Sequence, residues 1–215
     1  MSLPTHSDPP GWDVGSNDLD LTLGHNTVQA IFRYVRTRNY SSNFPQYRPI
    51  ECVPKSCTEK ISEIQVIERF IEDQALRDKI SQTARTLFAI VLYSSMGKPG
   101  IESFLDEALK AGIDDKALPI TDMEKYDTVF GDGTENNMVA VASFHSLQKR
   151  FCLPSFRSRI PQQIGSGWGM PLRVGDMVGR GTFGRVFSVQ IHPDHDEIGK
   201  VSHFTRNCTY SMSEY

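Results

Sequence analysis

The stretch that decides the fold is Gly179-Arg180-Gly181-Thr182-Phe183-Gly184-Arg185-Val186, which has the pattern G-x-G-x-x-G-x-V. Glycines lack a Cβ, so the backbone can adopt positive φ and approach phosphate oxygens closely enough for its N–H groups to donate. Val186 to Ile191 after the glycines predicts a strand, because Phe187, Val189 and Ile191 alternate with polar residues, and Leu172 to Val178 before the glycines is its candidate partner strand. A strand on each side argues against a dinucleotide-binding turn, in which the glycines open a helix.

Strand, glycine turn and strand is the arrangement of the glycine-rich loop that covers ATP phosphates in protein kinases. On this interpretation Phe183, at the tip, closes over the γ-phosphate, and Val186 lies against the adenine ring. The alternative is an ordinary β-hairpin with a long glycine loop. We favour the kinase-type interpretation because the valine and both strands fall at the positions that the pattern requires.

The stretch from Val178 to His195 resembles fungal protein-kinase-like proteins, in which a largely helical N-terminal region precedes a Ser/Thr-type kinase domain. The resemblance extends over about Ser94 to Gly199, and only the glycine loop is diagnostic. It implies ATP with Mg²⁺ as cofactor. It also implies a nucleotide-binding set made of Val178, Gly179, Gly181, Thr182, Phe183, Gly184 and Val186.

The sequence lacks the groups on which phosphoryl transfer depends. Protein kinases need a lysine on the third strand, a glutamate on helix αC, an H-R-D-type loop and a D-F-G motif, and none of them follows the glycines here. Lys200 is the only lysine after the loop, in a segment unlike a strand interior. We therefore expect no catalytic residue, no kinase activity and at most weak ATP binding from these 215 residues.

The end of the chain suggests a reason for the missing motifs. We expect an N-terminal part of a kinase, truncated after the glycine-rich loop by a retained intron or a gene-model error. The alternatives are a genuine short tail and a decayed gene copy.

Helical periodicity dominates the middle of the chain. Ser56 and Glu59 predict a capping box at the first helix of this region, and Gly112 predicts the end of the third. Asn136 is a candidate cap for a fourth helix, which Pro154 ends. The predicted apolar faces are Ile61, Ile64, Ile67 and Ile71, then Leu76, Ile80, Ala84, Leu87, Phe88, Val91 and Leu92, then Ile101, Phe104, Leu105, Ala108 and Leu109, then Val139, Val141, Phe144, Leu147 and Phe151.

These patterns predict a mainly α protein that ends in a short β-hairpin from the start of a kinase N-lobe, and hence α+β overall. The predicted parts are a poorly ordered arm (1–54), a helical region (55–160), a linker (161–171), a kinase-like N-lobe start (172–200) and an irregular tail (201–215). Within the arm, Thr27 to Arg38 has helical spacing and is either a helix docked on the core or a partner-binding segment.

Composition limits the function classes. With 39% hydrophobic residues, 23% charged residues and a net charge of −3, the chain is typical of a soluble globular protein and favours neither nucleic acid nor a membrane as partner. No apolar signal segment follows Met1, so we expect a cytoplasmic or nuclear protein. The second function class is a non-enzymatic module whose helical region binds a protein partner.

Cysteine and histidine spacing gives no metal motif. The four cysteines contain no C-x-x-C pair, and thiols are the expected state in a reducing compartment. His192 and His195 are spaced like zinc ligands, but Pro193 and Asp194 between them favour a simple turn after the strand.

Overall fold

The computed structural model describes residues 27–38, 40–42, 50–94, 100–122, 135–156, 168–181, 184–197 and 208–212. Its helices are α1 (Thr27–Arg38), α2 (Lys55–Ile61), α3 (Ile64–Ile67), α4 (Gln74–Thr83), α5 (Arg85–Tyr93), α6 (Ile101–Lys110) and α7 (Glu135–Phe151). Its strands are β1 (Tyr40–Ser42), β2 (Ile50–Cys52), β3 (Leu172–Gly181), β4 (Gly184–Ile191) and β5 (Cys208–Met212). The chain is thus helix-rich with an antiparallel hairpin, in agreement with the α+β prediction.

The core is built around α5. Every residue from Leu87 to Leu92 is fully buried, because α1, α2, α4, α6 and α7 surround this short apolar helix. Ile31 and Val35 of α1 join the same core, so the segment predicted as a docked or partner-binding helix is docked. The described parts of the predicted arm (1–54) therefore differ from a poorly ordered segment, since Cys52 and Val53 are also fully buried.

Two helices are shorter than their periodicity predicts. The chain leaves helical geometry at Ser62 and Glu63, which separates α2 from α3. The break shifts the phase of the apolar stripe, so Ile64, predicted as core, is 42% exposed, whereas Ile67 is buried. A second break at Ala84, with φ −140° and ψ 35°, separates α4 from α5 although the predicted apolar residues on both sides are buried.

Carboxylates from distant parts of the chain bind the amides at these helix starts. Asp115 accepts hydrogen bonds from the amides of Thr86 (3.0 Å) and Leu87 (2.9 Å) at the start of α5. Asp194 does the same for Ser56 in α2. The predicted Ser56 capping box is wrong, since α2 begins at Lys55 without a side-chain cap and the Ser56 hydroxyl bonds to Asp194 instead.

Other predicted helix signals are confirmed. After α6, Gly112 has φ +76°, and the amides of Gly112 and Ile113 donate to Leu109 and Ala108, which is the Schellman arrangement. Asp114 accepts hydrogen bonds from the amides of Lys116 and Ala117 in the next turn. The fourth predicted helix is α7, which buries Phe144, Leu147 and Phe151. The predicted Asn136 cap is wrong, since the helix starts at Glu135 and Asn136 lies inside it.

The three-stranded sheet has the order β3-β4-β5, and both pairings are antiparallel. Leu172 pairs with Ile191 at the base of the β3–β4 hairpin, and Gly181 pairs with Gly184 at its tip. The described part of the predicted irregular tail (201–215) is the strand β5, which pairs Val189 with Cys208. The prediction missed β5 because its sequence has no alternating apolar pattern.

The segment before the hairpin is packed rather than a free linker where it is described. The amide of Gly169 donates to the carbonyl of Lys149 at 3.0 Å. A Cβ built on Gly169 would meet that oxygen at 2.9 Å and the Cys52 sulfur at 2.9 Å. Residues 168–171 of the predicted linker (161–171) therefore lie against α7 and β2.

Candidate functional site

The predicted nucleotide-binding residues surround the tip of the β3–β4 hairpin. Gly179 is paired with Val186 and Gly181 with Gly184, while Val178 precedes them on β3 with 57% of its surface exposed. Val178 and Val186 thus both lie in strands, as the strand–turn–strand interpretation requires. Thr182 and Phe183 lie outside the described residues, and the roles assigned to them stay predictions.

The glycine-containing part of β3 is irregular. The pairing register shifts twice, between Val174 and Met177 and again between Met177 and Gly179. Such bulges bend a strand and increase its twist. Met177 and Val178, on this irregular stretch, are among the most exposed large apolar residues of the described chain.

Two cationic side chains, Arg180 and Arg185, form a directly opposed pair near the hairpin tip. Arg180 on β3 is paired with Arg185 on β4, and both side chains are exposed. Directly opposed residues project from the same face of an antiparallel pair, where like charges destabilise the pairing. An anion bound at that face would offset this repulsion. The pair could not be predicted from the sequence, because only the strand register places the two arginines opposite each other.

The other end of the hairpin is fixed to the helical region. A short 3₁₀ turn, Pro193–His195, follows β4. The amide of Phe156, after α7, donates to the His195 carbonyl at 2.8 Å, and the Glu197 amide donates back to Phe156 at 3.1 Å. The Asp194 carboxylate reaches α2, where it accepts from the hydroxyl (2.5 Å) and amide (2.9 Å) of Ser56.

Two buried histidines stand at this junction. The ring centroids of His192 and His195 are 6.0 Å apart, and the Nδ1 of His192 accepts from the amide of Asp194 at 3.2 Å. Within the described ranges no group of three or more His, Cys, Asp or Glu side chains could hold a metal ion. The turn interpretation of this His-Pro-Asp-His stretch is confirmed.

Burial controls the ionisation of the junction. It lowers the pKa of His195 to about 4, an effect to which the neighbouring His192 adds. Burial likewise lowers the pKa of His192. Burial raises the pKa of the Asp194 carboxyl. The hydrogen bonds from the Ser56 hydroxyl and amide, with the two histidines, outweigh burial and hold this pKa below its ordinary value. Neutral imidazoles and an ionised Asp194 are therefore the favoured states.

Comparison of the chain with protein-family models, with curated proteins and with solved structures finds no match. Across the part of the chain that the structure describes, no helix combines the length and the apolar character that a membrane crossing requires.

Proposed function

We propose that the β3–β4 hairpin binds the phosphates of ATP with Mg²⁺, in the manner of the glycine-rich loop of a Ser/Thr protein kinase. The helical region before it corresponds, in this proposal, to the region that precedes the kinase domain in fungal kinase-like proteins. Gly179, Gly181 and Gly184 bring the backbone close to the phosphates, and Val178 and Val186 contact the base.

The observation that carries the proposal is the pair of exposed arginines opposite each other, Arg180 and Arg185, beside Gly181 and Gly184. Two like charges on directly opposed residues destabilise a hairpin unless a bound anion neutralises them. Guanidinium groups bind phosphate oxygens with charge-assisted hydrogen bonds. The tip therefore combines backbone that can approach a phosphate with two side chains that attract one.

The proposal assigns no phosphoryl transfer to these 215 residues. The catalytic lysine, the H-R-D-type loop and the D-F-G motif are missing from the sequence, so charge stabilisation would rest on the hairpin and Mg²⁺ alone. Binding is accordingly weak, with a Kd on the order of 1 mM for MgATP. Incorporation of labelled phosphate that Gly181→Val abolishes would overturn the inactive assignment.

Nuclear magnetic resonance titration tests the binding directly. MgATP should shift the backbone amide signals of Gly179 and Gly181, and MgAMP, which has a single phosphate, should shift them much less. Arg180→Glu with Arg185→Glu should abolish the response, while the exposed cation Lys116, in the helical region, can be changed to Ala as a matched control. Equal shifts with AMP, or no loss in the double variant, would contradict the proposal.

The helical region supports a second candidate, a protein-interaction module. Ile64 is an exposed large apolar side chain, at 42%, and it lies on α3 between two charged residues, Glu63 and Glu68. Affinity capture with the full chain should then lose a specific partner on Ile64→Asp but not on Met177→Asp. Loss with Met177→Asp alone would place the partner on the hairpin.

A further inference from the structure

The β3–β4 hairpin has one apolar face, which the register of its strands defines. Directly opposed residues of an antiparallel pair project from the same face, and every second residue of a strand returns to it. The opposite face carries mainly polar residues, among them Arg173, Ser188 and Gln190. The apolar face of the hairpin consists of three pairs, which are Leu172 with Ile191, Val174 with Val189, and Met177 with Phe187.

An irregularity in β3 keeps this face apolar. A regular strand would alternate from Leu172 and Val174 to Asp176, and would place a carboxylate among apolar side chains. The register shift between Val174 and Met177 places Met177 on the face instead. Bulges commonly redirect a side chain in this way. The face is therefore continuous from the base of the hairpin to Met177 and Phe187.

The apolar face is covered at its base and open toward the tip. Leu172 is 2% exposed, whereas Met177 is 53% exposed. Within the described ranges, no helix makes more than marginal contact with β3 or β4. One face of an antiparallel sheet normally packs on another element, because uncovered apolar surface is unfavourable in water. A further segment is needed to cover the Met177 end.

Two cationic side chains lie beyond the open end of the apolar face. The next pair after Met177 and Phe187 on the same face is Arg180 with Arg185, and both arginines are exposed. Apolar surface that ends in two guanidinium groups is complementary to a segment that combines apolar side chains with carboxylates. A basic segment would be repelled at the same place.

Residues 1–26 of this chain have the complementary composition. They contain four aspartates and neither lysine nor arginine. From Asp18 to Leu23 the sequence is Asp-Leu-Asp-Leu-Thr-Leu, and this period of two predicts an extended segment with its leucines on one side. Residues 1–26 lie outside the part of the chain that the structure describes.

The point of attachment lets this acidic segment reach the hairpin. The segment precedes α1, which is buried in the core through Ile31 and Val35, and β1, which follows α1, lies against β3. The twelve residues of α1 span about 18 Å. The nine residues from Asp18 to the start of α1 at Thr27 can span up to about 30 Å when extended. Covalent attachment also gives the segment a high effective concentration at the face.

We propose that the acidic segment Asp18–Leu23 covers the apolar face of the hairpin. Its leucines pack on the Met177 end, and its aspartates offset the charges of Arg180 and Arg185. The cover does not depend on nucleotide binding, and it is measured without nucleotide. Where the nucleotide also binds, the segment and MgATP compete for the two arginines.

Oxidation of Met177 by hydrogen peroxide, followed by peptide mass analysis of the full chain, measures the cover. The combined variant Leu19→Ser, Leu21→Ser and Leu23→Ser should oxidise at Met177 at least about threefold faster than the parent, because the side chain becomes exposed. Leu3→Ser, outside the alternating stretch, is the matched control and should change nothing. Met170, which precedes the hairpin, should react at one rate in all proteins and so reports any unfolding. An unchanged Met177 rate in the combined variant would overturn the proposal.

A charge exchange tests the electrostatic part. Arg180→Glu with Arg185→Glu should accelerate Met177 oxidation, and the addition of Asp18→Arg with Asp20→Arg should restore the protection. Lys116→Glu, an exposed change in the helical region, should have no effect. Failure of the exchange to restore protection would contradict the pairing of these charges. Protection that increases with protein concentration would show that a second copy covers the face, and would overturn the assignment to this segment.

Discussion

The hydroxyl of Ser56 donates to Oδ2 of Asp194 at 2.5 Å, and the Ser56 amide donates to the same oxygen at 2.9 Å, across 138 residues of sequence. The Asp194 carboxylate, which belongs to the turn that follows β4, thereby binds the first turn of α2. We expect this contact to hold the hairpin base against the helical region, together with the main-chain bonds that join residue 156 to residues 195 and 197.

Removing the carboxylate should destabilise the fold more than removing the hydroxyl. Asp194→Ala leaves the Ser56 amide without this acceptor and should lower the free energy of unfolding by about 2 kcal/mol. Ser56→Ala keeps the amide bond and should lower it by about 1 kcal/mol. Urea unfolding measures both, with Ser81→Ala as control, because the Ser81 hydroxyl bonds only within its own helix. A larger loss for Ser56→Ala than for Asp194→Ala would contradict the arrangement.

Acid should weaken the fold through His195. In the unfolded chain the His195 imidazole has its ordinary pKa of 6.5, whereas in the folded protein its pKa is about 4. Between these values the unfolded state holds more protons, so stability that is complete above about pH 6.5 is lost as the pH falls. The full loss is roughly 3 kcal/mol by the size of the shift.

Urea unfolding from pH 7 to pH 4 measures this loss. His192 contributes in the same direction, because its pKa is also lowered; the charged groups that face His195 include Asp194 and Lys55. His195→Phe, which cannot titrate, should flatten the dependence. An unchanged slope in that variant would show that His195 does not control it.

Close packing at Gly169 predicts a steric effect of a single methyl group. Gly169→Ala would place a Cβ 2.9 Å from the Lys149 carbonyl oxygen, which belongs to the backbone of α7 and cannot move aside cheaply. Overpacking of this kind costs about 1–3 kcal/mol. Gly179→Ala is the matched control, since its Cβ would only touch Val186 at 3.9 Å. Equal melting temperatures for the two variants would refute the steric argument.

The thiols of the helical region should react slowly. Cys52 and Cys57 are fully buried, and burial raises the pKa of Cys152 to about 12, so almost none of it is thiolate at pH 8. None of the three forms a disulfide. Iodoacetamide followed by peptide mass analysis should label Cys152 far less in the folded protein than in urea. Equal labelling in both states would contradict its buried environment.

Local signals in the sequence were sufficient for several elements. The apolar period of α6, the positive φ of Gly112 and the alternation in β4 each depend on residues close together in the chain. The helix interruption at Ala84 could not be predicted, because Asp115, about thirty residues away, accepts from the amides of Thr86 and Leu87 that the interruption leaves without a helical partner. The same limit explains the wrong assignment of Ser56, whose partner Asp194 becomes a neighbour only in the folded chain.

The candidate site was predictable only as a pattern. Glycine spacing and flanking strands indicated the hairpin, but the opposition of Arg180 and Arg185 follows from register, which two bulges in β3 determine. A cleft of about 650 Å³ beside the hairpin base was not predicted at all, since its lining residues are scattered from Lys55 to His195.

The bond between the His192 amide and the Pro171 carbonyl, 2.8 Å long, joins the two ends of the hairpin where they leave the helical region. The bond from the Phe156 amide to the His195 carbonyl lies beside it, so the hairpin is attached to the helical region at its base. We therefore expect a force applied at the tip of the hairpin to act on α2 and the end of α7, because Asp194 and Phe156 join the base to both helices.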